Sequence, residues 1–305
     1  MLGSGILESV IKYKKTSIKD ATHFVLCKGE KIRYIISIKQ GKKYLSRNLA
    51  SYSNNLTLLM KTINFLPFNI MQKLKLGYFV KATICLEVQE FINKTAQYNR
   101  LWNVIVGTYD KKQKLVIQLW NENTGRTLYY KIGNEFSNKE MITEIDYLNK
   151  NFKYEKFYIP RLIESKKMDN ISKFNIQVTE EFNGSKVKSE LTEDVYNIFK
   201  ELVTSQGVEF INNIPYGFSH GDFAPWNMRM ENDKYVLFDW EHSGMRFYGF
   251  DLIHYIYQTE TLLKGKNSED AIDIAVNELL KRENISIYNK SNLIQMYFDE
   301  CKVSY

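Results

Sequence analysis

His220-Gly221-Asp222-Phe223-Ala224-Pro225-Trp226-Asn227 is the densest polar stretch of the chain, and Asp239-Trp240-Glu241 begins twelve residues after its Asn227. Between them, the segments Asn227 to Met230 and Tyr235 to Asp239 flank the polar run Glu231-Asn232-Asp233-Lys234. That order predicts a β-hairpin whose turn lies midway between Asn227 and Asp239, so both side chains fall at its open end. An amide oxygen and a carboxylate brought together there are hard oxygen ligands of the kind Mg²⁺ takes, completed by water and phosphate. Asp222, five residues ahead of Asn227 on the entering loop, offers a carboxylate able to accept a proton from an attacking hydroxyl.

This layout, a His-x-Asp-x-x-x-x-Asn loop, a short hairpin and an Asp ending an apolar strand, resembles the catalytic and metal-binding arrangement of the kinase superfamily. The spelling HGDFAPWN with VLFDWE is similar to aminoglycoside phosphotransferases and choline/ethanolamine kinases, which have His-Gly-Asp or His-Asn-Asp where protein kinases have His-Arg-Asp. The run FDWEHSGMRFYGFDLIHYI is also similar to a choline-kinase stretch that ends on a further Asp, here Asp251. The resemblance spans residues 101 to about 260 and leaves residues 1–100 outside. It implies an α+β, bilobal protein-kinase-like fold, ATP or GTP with Mg²⁺, and transfer of the γ-phosphoryl group to a small-molecule hydroxyl. In that reading Asp222 is the catalytic base, Asn227 and Asp239 hold metal, and His220 supports the loop through a hydrogen bond. Asp251 is either a helix N-cap or a brace for the loop.

The same family architecture asks for a Lys on the third strand and a Glu on the next helix, and Lys131 and Glu144 stand at suitable places. Glu144 has independent support. It lies three residues after Met141 and four before Leu148, on the inward face of an apolar-periodic helix, where an unpaired carboxylate is costly. Glu140 shares that face one turn earlier, but the capping-box pattern Ser137-Asn138-Lys139-Glu140 accounts for it. No GxGxxG separates the first two strands of this region. A phosphate cradle would rest on backbone N–H groups after Gly107 and on the Thr108 hydroxyl, a departure that speaks against a protein kinase more than against a small-molecule kinase. By its order in the chain, the strand ending at Val178 to Phe182 becomes the interlobe hinge, with the peptide groups of Glu180 to Phe182 toward a purine.

Working outward, the segments WNVIVG, KLVIQLW and RTLYYKI from residue 102 to 132 predict a three-stranded antiparallel meander. A helix follows through Met141, Ile145, Leu148 and Phe152, then a strand over Phe174 to Phe182. Helices are expected over Thr192 to Ile211, Asp251 to Leu263 and Glu269 to Arg282. Upstream, HFVLC and RYIISI around Lys28-Gly29-Glu30 read as a hairpin, with an apolar-periodic stretch at Ile6 to Tyr13 before it and helix-like runs at Leu56 to Leu66 and Tyr78 to Ile92 after it. The expected division is a basic N-terminal extension (1–100), a strand-rich N-lobe (101–182) and a helical C-lobe (183–305).

The 305 residues, 44% hydrophobic and 25% charged, suit one or two globular domains and exclude a disordered chain. No apolar run reaches the roughly 18 residues of a membrane span, and the N-terminus lacks the pattern of a secretory signal, so a cytoplasmic location is expected. Three scattered cysteines and four histidines argue against a disulfide framework or a His-rich zinc site. The net charge of +7 is unevenly spread: residues 1–100 hold 17 basic against 5 acidic side chains, while residues 183–305 hold 12 against 19. The basic extension is a solvated surface or a contact for an anionic partner. The acidic C-terminal part suits a cationic acceptor, and Trp226, Trp240, Tyr248 and Tyr255 are either core or the walls of a site for a quaternary ammonium or a sugar. The HGDFAPWN spelling is also similar to phosphotransferases of bacterial surface-glycan synthesis. The acceptors rank as sugar or glycan precursor, then amino alcohol, then aminoglycoside, with a catalytically silent kinase-like binding module as the rival class.

Overall fold

The chain begins with helix α1 (Gly5–Val10) and strand β1 (Ile11–Lys15), and then makes a hairpin of β2 (His23–Lys28) and β3 (Lys31–Ser37). These come from a computed structural model that describes residues 5–39, 66–96, 101–120, 127–168, 174–182, 184–283 and 289–304. Helix α2 (Phe68–Lys73), strand β4 (Gly77–Ile84) and helix α3 (Leu86–Thr95) follow. The expected helix over Tyr78 to Ile92 is therefore half strand. Its apolar residues do not share one face: Phe79 enters one core cluster with Phe24 and Met71, while Val80 enters the opposite one with Val25 and Ile35. Burial on alternating sides is the signature of a strand, and pairing with β1 and β2 overrides the helical reading. The Leu56 to Leu66 helix expectation lies outside the described residues except at its last position.

The meander is found as read: β5 (Leu101–Val106), β6 (Lys114–Trp120) and β7 (Thr127–Asn134), followed by helix α4 (Asn138–Asn149). Strands β8 (Phe157–Tyr158), β9 (Leu162–Met168) and β10 (Phe174–Phe182) come next. Nine of these strands form one antiparallel sheet in the order β1-β4-β2-β3-β5-β6-β7-β10-β9, so the described strands of the first hundred residues continue the meander's sheet. Its main core holds Val25, Ile35, Val104, Ile117, Tyr130, Ile132 and Ile176, all essentially without solvent exposure. One detail of the helix start differs from expectation. The Asn134 side chain, not Ser137, accepts the free N–H groups, from Phe136 and Ser137, and the Ser137 hydroxyl donates to the Asn134 carbonyl. Glu140 is thereby left for Lys112 (2.6 Å) and Lys114 rather than for a capping box.

The remainder is richer in helices: α5 (Glu193–Thr204), α6 (Phe250–Gln258), continued by a π-turn, α7 (Ser268–Arg282) and α8 (Lys290–Ser304). Between α5 and α6 lie the short strands β12 (Glu209–Ile211), β13 (Ile214–Ser219), β14 (Met228–Glu231), β15 (Lys234–Leu237) and β16 (Gly244–Phe247), with β11 (Ser185–Lys186) earlier. Helix α5 stops at Thr204 rather than at Ile211. Gly207, at a φ of +87°, turns the chain, and Glu209–Ile211 pairs with β13 as an edge strand.

The architecture is thus mixed α/β, strand-rich toward the N-terminus and helical toward the C-terminus. The described residues fall into two compact units, one within 1–50, 57–145 and 160–183 and the other within 146–159 and 184–305. Among the described residues no helix is long and apolar enough to cross a membrane.

Candidate active site

Strand β13 delivers the chain into the His220–Asn227 loop, and one carboxylate organises the entry. Asp251, 2% exposed in the first turn of α6, accepts from the Ser219 hydroxyl (2.8 Å), the His220 N–H (2.7 Å) and the Gly221 N–H (3.1 Å). Three donors on one carboxylate fix the main chain just ahead of Asp222. His220 ties the loop to the strand that ends before Asp239. Its Nδ1 accepts from the Asp222 N–H (3.3 Å) and its Nε2 donates to the Phe238 carbonyl (3.1 Å). That pairing requires the neutral ring with the proton on Nε2, and burial holds the imidazole below its ordinary pKa.

Gly221 is required by the same packing. Its φ is +84°, and a Cβ there would stand 2.1 Å from the His242 carbonyl oxygen. Gly221→Ala is expected to destabilise the fold by about 2 kcal/mol or more, through left-handed strain and the overlap. A denaturation series shows this; an unchanged midpoint contradicts it.

Beyond Gly221 the loop closes on itself. Asn227 Nδ2 donates to both the main-chain oxygen (2.8 Å) and Oδ2 (2.8 Å) of Asp222. Both amide hydrogens therefore go to Asp222, and Oδ1 is the atom that the amide has left for a ligand. The other Asp222 oxygen, Oδ1, lies 3.0 Å from His254 Nε2. Burial by itself raises the Asp222 carboxyl, but the hydrogen bond and charge of His254 outweigh it and hold the group below its ordinary range. The group is thus a carboxylate at neutral pH, and the second lone pairs of its oxygens remain for an incoming hydroxyl.

The hairpin forms in the expected register, Met228 opposite Leu237 and Glu231 opposite Lys234, with left-handed Asn232 and Asp233 in the turn. The Phe238 N–H donates to the Asn227 carbonyl (3.2 Å), which brings Asn227 and the residue before Asp239 side by side at the open end. Asp239 is left-handed, with a φ of +72°, a conformation that only a few non-glycine residues take and that clusters at functional positions. A carboxylate oxygen of Asp239 and one of Glu241 lie within 4.8 Å of each other. Such a pair of carboxylate oxygens fits a divalent cation of the Mg²⁺ type. Of the four aromatic candidates, Trp240, Tyr248 and Tyr255 are core side chains and Trp226 is half-buried.

In the other unit, Lys131 on β7 donates to Glu144 Oε2 at 2.8 Å, with side chains 16% and 6% exposed. Gln177, opposite Lys131 in the β10–β7 register, donates from Nε2 to the same oxygen at 2.6 Å. Thr108 is exposed, and its carbonyl accepts from the Asp110 N–H. The Glu180 N–H donates to the Arg161 carbonyl (2.8 Å), the Glu180 carboxylate accepts from the Arg161 N–H (3.0 Å), and Phe182 pairs opposite Thr127 after a bulge. Gln177 and His254 are side chains at these groups that sequence reasoning passed over, and Glu241 was not read as a metal ligand. Gln177 alternates with apolar residues in Phe174-Asn175-Ile176-Gln177-Val178, as any polar residue on a strand's second face does, so the sequence held little signal for the first. An Asp and a His one helical turn apart, at Asp251 and His254, were a signal for the second.

The chain matches a family model in part: residues 172–270, about a third of its length, match the phosphotransferase enzyme family. That stretch contains Asp222, Asn227, Asp239, Asp251 and His254, and places the chain in partial likeness to the aminoglycoside-kinase superfamily. Among solved structures the chain is similar to amicoumacin kinase hAmiN in complex with AMP-PNP, Ca²⁺ and Ami, at 12% identity and a TM-score of 0.39, over 63% of this chain and 76% of that one. No curated protein matches it.

Proposed function

We propose that the chain is a Mg²⁺-dependent phosphotransferase that moves the γ-phosphoryl group of ATP or GTP to a hydroxyl of a small molecule, with a sugar or glycan precursor as acceptor. The observation that carries this reading is the Asp222 carboxylate. It is half-buried, ionised and held at both oxygens, by Asn227 at Oδ2 and His254 at Oδ1, and the main chain of Asn227 is hydrogen-bonded to the residue before Asp239.

The acceptor oxygen forms a bond to the γ-phosphorus as the bond from that phosphorus to the bridging oxygen breaks, and the nucleoside diphosphate leaves. Asp222 takes the hydroxyl proton and orients the nucleophile. Asn227 Oδ1 and the Asp239 carboxylate are the residues that would hold Mg²⁺, which when bound neutralises charge on the phosphates. Lys131, steadied by Glu144 and Gln177, contacts the α/β-phosphates. The Gly107–Thr108 turn and the Glu180 to Phe182 main chain take the positions next to the phosphates and the purine. His220 and Asp251 support the loop.

The sugar assignment rests on the HGDFAPWN spelling, and the burial of Trp240, Tyr248 and Tyr255 in the core counts against an aromatic cage for a quaternary ammonium. A coupled nucleotide assay over sugars, amino alcohols and aminoglycosides tests the reading. A sugar that accelerates nucleoside diphosphate release supports it, and no acceleration by any member contradicts it. Glu144→Ala is expected to raise the KM for nucleotide about tenfold with kcat less affected, since Lys131 loses the carboxylate that aims it. An unchanged KM contradicts the role of the pair.

A further inference from the structure

We propose that His254 is the positioning residue of Asp222 and is itself set by Tyr297, so that the C-terminal helix α8 forms part of the catalytic apparatus. This rests on the phosphotransferase reading and deepens it. His254 lies in α6 with no solvent exposure, its ring stacked on Phe250 with centroids 5.7 Å apart. A buried imidazole needs partners for both nitrogens, and here they come from two distant parts of the chain. Nε2 meets Asp222 Oδ1 at 3.0 Å, and Nδ1 meets the Tyr297 hydroxyl at 3.1 Å.

The chemistry of the partners fixes the proton. An ionised carboxylate only accepts, so Nε2 carries hydrogen and donates to Asp222. The Tyr297 hydroxyl both donates and accepts, so it can serve Nδ1 in the neutral ring by donating or in the charged ring by accepting. The bond to Asp222 therefore persists in either protonation state. Burial alone would lower the His254 pKa, but the Asp222 bond and charge, together with the Cys301 side chain, raise it above the ordinary imidazole value.

Geometry separates this from an ordinary core histidine. Asp251 and His254 are one turn apart on the same helix, where residues at that spacing share a face. The first holds the main chain of residues 219–221, and the second holds the side chain of Asp222. With Asn227 on Oδ2 and His254 on Oδ1, neither carboxylate oxygen can turn without breaking a bond. One helical turn thus sets both the path of the loop and the rotamer of its base. The outer partner, Tyr297, lies 75 residues downstream of Asp222 in sequence, on α8.

The test uses the full chain and hydrolysis of Mg·ATP with water as acceptor, so that no acceptor need be known. His254→Phe keeps a ring but loses the donor, and is expected to lower kcat about 100-fold with the KM for ATP unchanged. His254→Gln can donate an amide hydrogen toward Asp222 and is expected to recover most of that loss. Tyr297→Phe is expected to cost kcat about tenfold. Nitrogen-15 shifts of His254, recorded in the wild type and in Asp222→Asn, are expected to differ. Thermal midpoints separate loss of fold from loss of rate, and Tyr297→Phe removes only one oxygen if the His254 variants fold poorly. A wild-type kcat in His254→Phe, equal losses in the Phe and Gln variants, or His254 shifts blind to Asp222→Asn each overturn the proposal. Failure of the phosphotransferase reading is a different result, since it shows in the wild-type protein, as absence of Mg·ATP turnover, and not in the variants.

Discussion

Asp222→Asn is expected to lower phosphoryl transfer by about 10³- to 10⁴-fold while leaving nucleotide affinity within about twofold. The carboxylate is the group placed to accept the hydroxyl proton, and an amide at the same position cannot. The change is also close to silent for the fold. One amide atom can still accept from Asn227 Nδ2, and the other can donate to a neutral His254 Nε2 once the ring proton moves to Nδ1 and donates to the Tyr297 oxygen. A steep loss of kcat with a retained thermal midpoint therefore assigns the effect to chemistry. Wild-type rates in this variant contradict the assignment of the base.

Asp239 carries the second large effect. Asp239→Asn is expected to weaken nucleotide binding about 100-fold in the presence of Mg²⁺ and not at all in a chelator, because it removes the anionic oxygen but keeps the shape and the tolerance of a left-handed backbone. Asp239→Ala is expected to show the same loss of Mg²⁺ dependence with an added stability cost of about 1 kcal/mol, since alanine is strained at a φ of +72°. Calorimetric nucleotide titrations with and without Mg²⁺ check both. Equal affinities of wild type and Asp239→Asn in Mg²⁺ contradict the role.

The legible parts of this protein were local. The hairpin after the His220–Asn227 loop could be placed in register because a polar turn and period-2 flanks leave one pairing that joins Asn227 to the strand before Asp239. The Lys131–Glu144 contact had two sources: a carboxylate on an apolar helix face needs a cation, and the family resemblance pointed to Lys131 as that cation. The meander and the strand Phe174–Phe182 were visible because apolar, β-branched and aromatic runs alternate with short polar links. What remained hidden depends on distant partners. Tyr78 to Ile84 takes strand geometry because β1 and β2 flank it, and nothing within the segment announces them. Glu209–Ile211 leaves its helix to join β13, and His254 acquires its meaning only when α8 brings Tyr297 to its other nitrogen. The Lys28-Gly29-Glu30 hairpin is in place as read, and its strands β2 and β3 extend the meander's sheet. The basic excess of residues 1–100 thus accompanies strands built into that sheet.

The most direct measurement is ³¹P NMR of the full chain with Mg·ATP or Mg·GTP and a panel of sugars, amino alcohols and aminoglycosides, run beside Asp222→Asn. The expected result is loss of the γ-phosphate signal and growth of a phosphomonoester resonance with a sugar acceptor in the wild type, with neither in the variant. A wild-type protein that forms no phosphomonoester from any panel member, or a variant that forms it at the wild-type rate, contradicts the assignment of a phosphotransferase centred on Asp222.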